Sequence, residues 1–378
     1  MKILFLIESL AGGGAEKVLA TLVENIDKSK FDVTVCAISG GGKYEDDVKR
    51  HCQYRALLKV PASIVSKILY YIKHHLIYKW LPVSLSYRLF VPKGFDVEVA
   101  FVEGFATKLL SYSSNGRKIA WVHIDLKNNH WTKSVYKSIE QEKRVYSRYE
   151  TVVCVSETAR KGFHNEFGEL PNSVVTRYNP IDSSLIRTLA QETQSGPHSV
   201  PLLVTTGRLE MQKGYDRLVR IVKWLVDDGL KFKLWILGAG TQEVSLKGYV
   251  KENGLTDVVF FLGFHSNPYK YIAQGDLFVC SSRSEGYSTA VTEALILGVP
   301  VITTECSGMK EMLNNGEYGV ITDNDEEALY KGMKRLLEDK ALLQYYKEKA
   351  GKRGMDFSMK NLMTPIEEML LMQKNNEI

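Results

Sequence analysis

At 378 residues the chain is too long for one ordinary hydrophobic core and suits two domains of about 150–200 residues each. Its 44% hydrophobic and 25% charged content is that of a soluble globular protein, and no window reaches the ~18 uncharged apolar residues of a spanning helix. A net charge of +5 is too small to argue for nucleic acid, and no nucleic-acid reader motif is recognised.

Short apolar runs alternate with helical patterns along the whole chain, which predicts parallel α/β architecture. KILFLI (2–7) reads as a strand that leads into the glycine loop GGGAEK (12–17) rather than into a leader cleavage site. Ala15, Val18, Leu19, Leu22, Val23 and Ile26 then recur at helical spacing on one face. FDVTVCAI (31–38) is the next predicted strand. From Val48 to Phe95 there is no Asp or Glu, while Lys49, Arg50, Arg55, Lys59, Lys67, Lys73, Lys79, Arg88 and Lys93 all fall there. Within that stretch, residues 62–90 mix Ile, Leu, Tyr and Trp with Lys and His. That mixture suits either a helix on an anionic membrane surface or a helix pair whose apolar side is core.

Further strands are predicted at FDVEVAFV (95–102), KIAWVH (118–123), TVVCVS (151–156) and SVVTRY (173–178). The polar stretch AQETQSGPHSVP (190–201) reads as a linker, and the same rhythm restarts after it. PLLVTTG (201–207), FKLWILG (232–238), VVFFLG (258–263), DLFVCSS (276–282), PVITT (300–304) and YGVIT (318–322) are the second set of strands. Helical patterns close the chain at about 325–353 and 359–375. The fold expected is two doubly wound, Rossmann-like domains facing each other across a ligand cleft at the carboxyl ends of their strands. The five cysteines are scattered without metal-ligand spacing, as buried thiols of a cytoplasmic protein would be.

Four stretches carry chemistry. GGGAEK offers backbone N–H groups at a helix start to an anion, although a plain tight turn accounts for it equally. It is not a dinucleotide fingerprint: Lys17 stands at the sixth position, and Ile38 and Ser39 stand where an acid would end the second strand. In GRLEMQKG (207–214), Arg208 and Lys213 follow a strand end and could clamp a diphosphate, with a solvated loop as the plain alternative. Gly238 and Gly240 repeat the strand–glycine–helix arrangement and would let a ligand approach the backbone. Finally, SSRSEGYSTAVTEALILGVPVIT (281–303) carries two carboxylates in a small, apolar setting. Ser288 and Thr289 start a predicted helix and offer donors to a phosphate. Glu285 precedes that helix and Glu293 lies about one turn inside it. Each could grip a vicinal diol, one on the ribose and one on the hexose of a nucleotide sugar. No Asp-x-Asp pair is placed near a strand end, so no metal or other cofactor is expected.

The 282–301 stretch resembles the signature of retaining glycosyltransferases of family four, which have the GT-B fold. GRLEMQKG resembles the diphosphate-binding segment of the same family. GGGAE, WVHID (121–125), VCVSE (153–157), NPID (179–182) and GFHSNPY (263–269) fit its pattern in order along nearly the whole chain. The resemblance implies that Arg208 and Lys213 hold the pyrophosphate, Glu285 the donor sugar and Glu293 the ribose diol. It further implies that the Gly13–Gly14 loop approaches the β-phosphate and that His123, with Asp125 two residues on, sits near the transferred sugar. The expected domains are an acceptor-binding one at 1–190, rejoined by a crossover helix from about 359 to 378, and a nucleotide-sugar-binding one at 198–358. The expected activity moves a hexose or N-acetylhexosamine from a nucleotide diphosphate sugar, UDP before GDP, to a glycan or lipid-linked glycan acceptor. It would do so without metal, in the cytoplasm or on the inner face of the cell membrane. A nucleotide-sugar epimerase of the same fold, or an inactive scaffold subunit of a polysaccharide assembly complex, is the alternative. An idle scaffold would have no need of the four charged residues.

Overall fold

The computed structural model describes residues 1–192 and 199–372. The middle of the predicted linker and the last residues of the closing helix lie outside them. The chain divides into two compact units, Met1–Pro180 together with the stretch from Met359, and Ile181–Ser358.

In the first unit the strands are β1 (Lys2–Ile7), β2 (Asp32–Ser39), β3 (Gln53–Leu58), β4 (Val97–Ala100), β5 (Lys118–Val122), β6 (Thr151–Cys154) and β7 (Ser173–Thr176). They form one parallel sheet in the order β3-β2-β1-β4-β5-β6-β7. Parallel sheets are covered by helices on both faces, so their inner strands are mostly apolar rather than alternating, with Glu98 of β4 a buried exception that accepts from the Tyr87 hydroxyl at 3.1 Å. β1 is buried from Ile3 to Ile7 and β4 along its whole length. The helix Gly14–Asn25 buries Val18, Leu19, Leu22 and Val23, as its spacing predicts. The helix Met359–Leu371 belongs to this unit: Arg177 Nε donates to the Pro365 carbonyl at 2.9 Å and Arg117 to the Leu370 carbonyl at 3.1 Å.

The second unit holds β8 (Leu202–Thr206), β9 (Lys233–Leu237), β10 (Val259–Gly263), β11 (Leu277–Cys280), β12 (Val301–Thr304) and β13 (Val320–Thr322), all parallel, in the order β10-β9-β8-β11-β12-β13.

Three features differ from the sequence reading. β3 is an edge strand with Gln53 and Arg55 exposed, so its composition gave no apolar run. The expected 325–353 helix is two, Glu326–Glu338 and Lys340–Asp356, because Asp339 leaves helical geometry and caps the second through Leu342 N at 2.9 Å. The helix Ser183–Ala190, expected in the first domain, belongs to the second unit. Asp182 caps it through Leu185 N at 2.8 Å, and Asn267 Nδ2 donates to the Leu189 carbonyl at 3.0 Å.

In both sheets the strand order reverses once, between β1 and β4 and between β8 and β11. Chain crossovers leave to opposite faces there, and a crevice opens beyond the carboxyl ends of the two strands. The residues after those four strands are therefore where ligand chemistry is to be sought. None of the five cysteines is in a disulfide.

Candidate active site

β8 and β11 are hydrogen-bonded neighbours although their sequences lie far apart, with Leu203 opposite Leu277 and Val204 opposite Phe278. The loops that follow them are consequently side by side. Lys213 Nζ lies 2.6 Å from Glu285 Oε1. Ser282 Oγ donates to the same oxygen. No described residue donates to Oε2, which leaves one face of a buried carboxylate able to accept from a hydroxyl. Burial alone would lower the Lys213 ammonium; the charge and hydrogen bond of Glu285 overcome that and leave it above the usual lysine range.

The two loops are joined by further bonds. Ser281 Oγ donates to the Lys213 carbonyl at 3.0 Å, Gln212 Nε2 to the Ser284 carbonyl at 2.9 Å, and Arg283 N to the Gln212 carbonyl at 2.8 Å. Arg283 forks onto Asp216 at 2.6 and 2.8 Å. Burial would raise the Asp216 carboxyl, but hydrogen bonds from Arg283 and Arg220 hold it down at about 2. Beneath the loops, Arg217 is buried and donates to the carbonyls of Ser281 and Ser282 at 2.7 and 2.6 Å. Arg217, Asp216, Arg283 and Ser282 were not singled out from sequence. The signal for Arg217 was there: it lies four residues before Ile221 on the apolar face of helix Tyr215–Asp227, where a charge needs a buried partner.

Ser288 is the N-cap of helix Thr289–Ile296, and Thr289 is its first residue. Glu293 is buried one turn into that helix. Arg208 is exposed just past the end of β8, near enough for its charge to act on Lys213. Gly238 and Gly240 follow β9, but what their missing Cβ admits is protein. A Cβ at Gly238 would stand 1.8 Å from the Gly207 carbonyl oxygen, and one at Gly240 2.5 Å from that of Leu209. Both glycines are needed for that backbone contact, irrespective of any ligand.

Gly13, Gly14 and His123 belong to the first unit. Glu16 folds back over Gly13, whereas space is open around Gly14. His123 follows β5 and packs its ring against Phe101 at 4.9 Å. Its backbone N–H is held by Glu103 Oε2 at 3.0 Å, and Trp131 Nε1 donates to the other Glu103 oxygen at 3.2 Å. Asp125 is committed to the turn behind it, accepting from Lys127 N at 3.1 Å and Asn128 Nδ2 at 2.7 Å. The Nε2 of His123 is buried and has no hydrogen-bond partner among the described residues. Burial lowers the ring to about 4, so the imidazole is neutral near pH 7 and presents polarity, not charge.

That shift has a consequence for stability. The unfolded ring takes up a proton near 6.5 and the folded one only near 4, so between those values acid favours unfolding. Stability is expected to fall across that window by about 2–3 kcal/mol on account of this residue, with no contribution above it and a constant one below. Urea unfolding of wild type and His123→Phe at a series of pH values checks this: the difference between the two should grow as pH falls from 6.5 to 4.

Two family models match consecutive parts of the chain: Glycosyltransferase Family 4 over residues 12–185 and Glycosyl transferases group 1 over residues 190–353. The Campylobacter jejuni protein named N-acetylgalactosamine-N,N'-diacetylbacillosaminyl-diphospho-undecaprenol 4-alpha-N-acetylgalactosaminyltransferase is 28% identical over 360 residues, 93% of this chain and 94% of its own. Among solved structures, Anabaena HepE in complex with UDP-glucose superposes with a TM-score of 0.77 at 20% identity, over 98% of this chain and 99% of that one. Sucrose-phosphate synthase of Thermosynechococcus elongatus gives a TM-score of 0.76 at 15% identity, over 98% of both chains. At such identities the structural likeness is one of fold.

Proposed function

The chain belongs to glycosyltransferase family 4, with the GT-B fold of two Rossmann-like domains, and on that premise we propose its reaction. It moves a hexose or N-acetylhexosamine from a nucleoside diphosphate sugar to a glycan or lipid-linked glycan acceptor, with retention at the anomeric carbon. The observation that carries this reading is the Lys213–Glu285 pair at the β8–β11 switch point, with one carboxylate oxygen spare. UDP is favoured as the nucleotide on the ground that HepE has been solved with UDP and with UDP-glucose. A lipid diphosphate acceptor is favoured by the name of the Campylobacter jejuni relative.

As the bond between the anomeric carbon and the diphosphate breaks, its electrons pass to the leaving phosphate. Lys213, Arg208 and the N-terminus of helix Thr289–Ile296 receive that charge, the role a divalent metal would otherwise fill. Glu285 Oε2 accepts from a hydroxyl of the sugar, and Glu293 from the ribose diol. In the first unit, His123 Nε2 serves a sugar hydroxyl and the open side of Gly14 admits phosphate. The leaving phosphate takes the acceptor's proton, so no covalent nucleophile is assigned.

A thermal-shift panel of UDP, UDP-sugars and GDP-sugars tests the reading, followed by transfer assays in chelator with whichever donor stabilises the protein. UDP should raise the melting temperature. Lys213→Ala should weaken its binding by about 10- to 100-fold, the worth of one to two charge-assisted contacts. Unchanged affinity in the variant would remove the clamp, and no response to any nucleotide would remove the proposal.

A further inference from the structure

The acid-free stretch after β2 ends on the surface, not in the core. Ser63 and Ser66 cap each other reciprocally, at 3.2 and 2.7 Å, and start the helix Ile64–His75. None of its residues is buried, although six of the twelve are Ile, Val, Leu or Tyr side chains that stand exposed: Ile64 at 80%, Leu69 at 61%, and Val65, Ile68, Tyr71 and Ile72 with them. At about 100° per residue these six occupy one arc of roughly 160°. The side opposite that arc carries Tyr70 and His74, and it is this side that meets the protein. Tyr70 packs against the core, the His74 ring lies 4.8 Å from Tyr78, and Tyr78 stacks on Phe105 at 4.4 Å. A helix of a soluble surface has the reverse orientation, with its aliphatic arc inward.

The basic residues are placed to match. Lys73 turns its ammonium over the Phe90 ring at 5.3 Å, whereas the exposed Lys67 falls about 40° outside one edge of the apolar arc and Lys79 is exposed just beyond the helix. Long side chains in those positions can lay their stems along an apolar surface and keep their ammonium groups at its boundary. The pattern continues beyond the helix. Trp80 is 62% exposed at the end of the turn Leu76–Trp80, next to the exposed Lys79, and Leu85, Leu89 and Arg88 are exposed on the helix Val83–Phe90. All nine charged side chains between Val48 and Phe95 are cationic.

We infer that this face, from Ile64 to Leu89, docks peripherally on an anionic lipid bilayer. The aliphatic arc enters the acyl boundary, Tyr71 and Trp80 lie at headgroup depth, and the exposed Lys67, Lys79 and Arg88 meet lipid phosphates. Charge selects this occupant over a second copy of the chain, since the same face on a partner would set cation against cation. The contact is peripheral because no helix of the described residues is long and apolar enough to cross a membrane. Docking is independent of the transfer chemistry, so the two stand or fall separately.

Flotation of the full chain with phosphatidylcholine vesicles, with and without phosphatidylglycerol, tests it. Wild type should float with the anionic vesicles and stay behind with the neutral ones. The double variant Ile68→Asp, Leu69→Asp should lose flotation while keeping its melting temperature and its nucleotide-sugar hydrolysis, because both side chains already face water. Reversing Lys67 and Lys79, both exposed, to Glu should lower partition by at least about fivefold per residue. Three results would overturn the inference: no flotation on anionic vesicles, equal flotation on neutral ones, or a wild-type dimer in solution that the Ile68→Asp, Leu69→Asp protein no longer forms.

Discussion

Glu285→Gln is expected to cut transfer by about a hundredfold to a thousandfold or more, while the protein stays folded. The substitution keeps size and shape, and the amide oxygen can still accept from Ser282 and Lys213. Two things change. The charge that holds the Lys213 ammonium above its usual range disappears, and the ammonium, on a side chain 22% exposed, keeps only the amide oxygen and water as partners. The oxygen to which no described residue donates becomes an NH₂ group, which cannot accept from a sugar hydroxyl. A donor then faces a donor where the sugar is to be held. The cost to stability is about 1–2 kcal/mol, the weakening of charged hydrogen bonds to neutral ones, so the melting temperature should drop by only a few degrees. Initial rates at saturating nucleotide sugar, taken with a melting curve, check both halves. Wild-type turnover in the variant would take Glu285 out of the reaction.

The limits of the sequence reading have physical causes at particular residues. Strands such as β1 and β11 announce themselves because helices cover both of their faces and favour apolar side chains along them, whereas β4 interrupts its run with Glu98, a buried carboxylate that accepts from the Tyr87 hydroxyl at 3.1 Å. β3, at the sheet edge, is under no such demand, and QYRALL passes for a loop. Asp339 breaks a helix without Gly or Pro, by capping the next one, and the apolar spacing runs through the break. At the site, Lys213 and Glu285 were each recognisable as charges beyond a strand end. Their contact was not, since it depends on β8 lying beside β11, and strand order is not written in chain order. Gly238 was read as making room for a ligand; the same missing Cβ makes room for the Gly207 carbonyl, a distinction only coordinates can draw. The stretch 62–90 was ambiguous for a related reason. An apolar arc looks the same in sequence whether it turns inward or outward.

Arg217→Ala is expected to destabilise the second unit by about 3–5 kcal/mol, or roughly 10 °C in melting temperature. The guanidinium is buried at 3% exposure and gathers the ends of several strands. It donates to Ser281 O at 2.7 Å and Ser282 O at 2.6 Å after β11, to Thr304 Oγ1 at 3.3 Å at the end of β12, and to Asn324 Oδ1 at 2.8 Å after β13. Truncation leaves the buried Ser281 carbonyl without that donor and removes one bond from the Ser282 carbonyl, which keeps Thr304 Oγ1 at 2.6 Å and Cys306 Sγ at 2.9 Å, and the emptied volume adds a packing cost. Lysine keeps a charge but not a planar fork, so Arg217→Lys should recover part of the stability and little of the alignment. The loop that Arg217 holds carries Glu285 only three residues beyond Ser282. Turnover should therefore fall in both variants even at temperatures where melting curves show them fully folded, and this separates misplacement of the carboxylate from simple unfolding. An Arg217→Ala protein that melted within a degree or two of wild type would mean that the carbonyls find other donors, and that the loop is held by Asp216 and Arg283 instead.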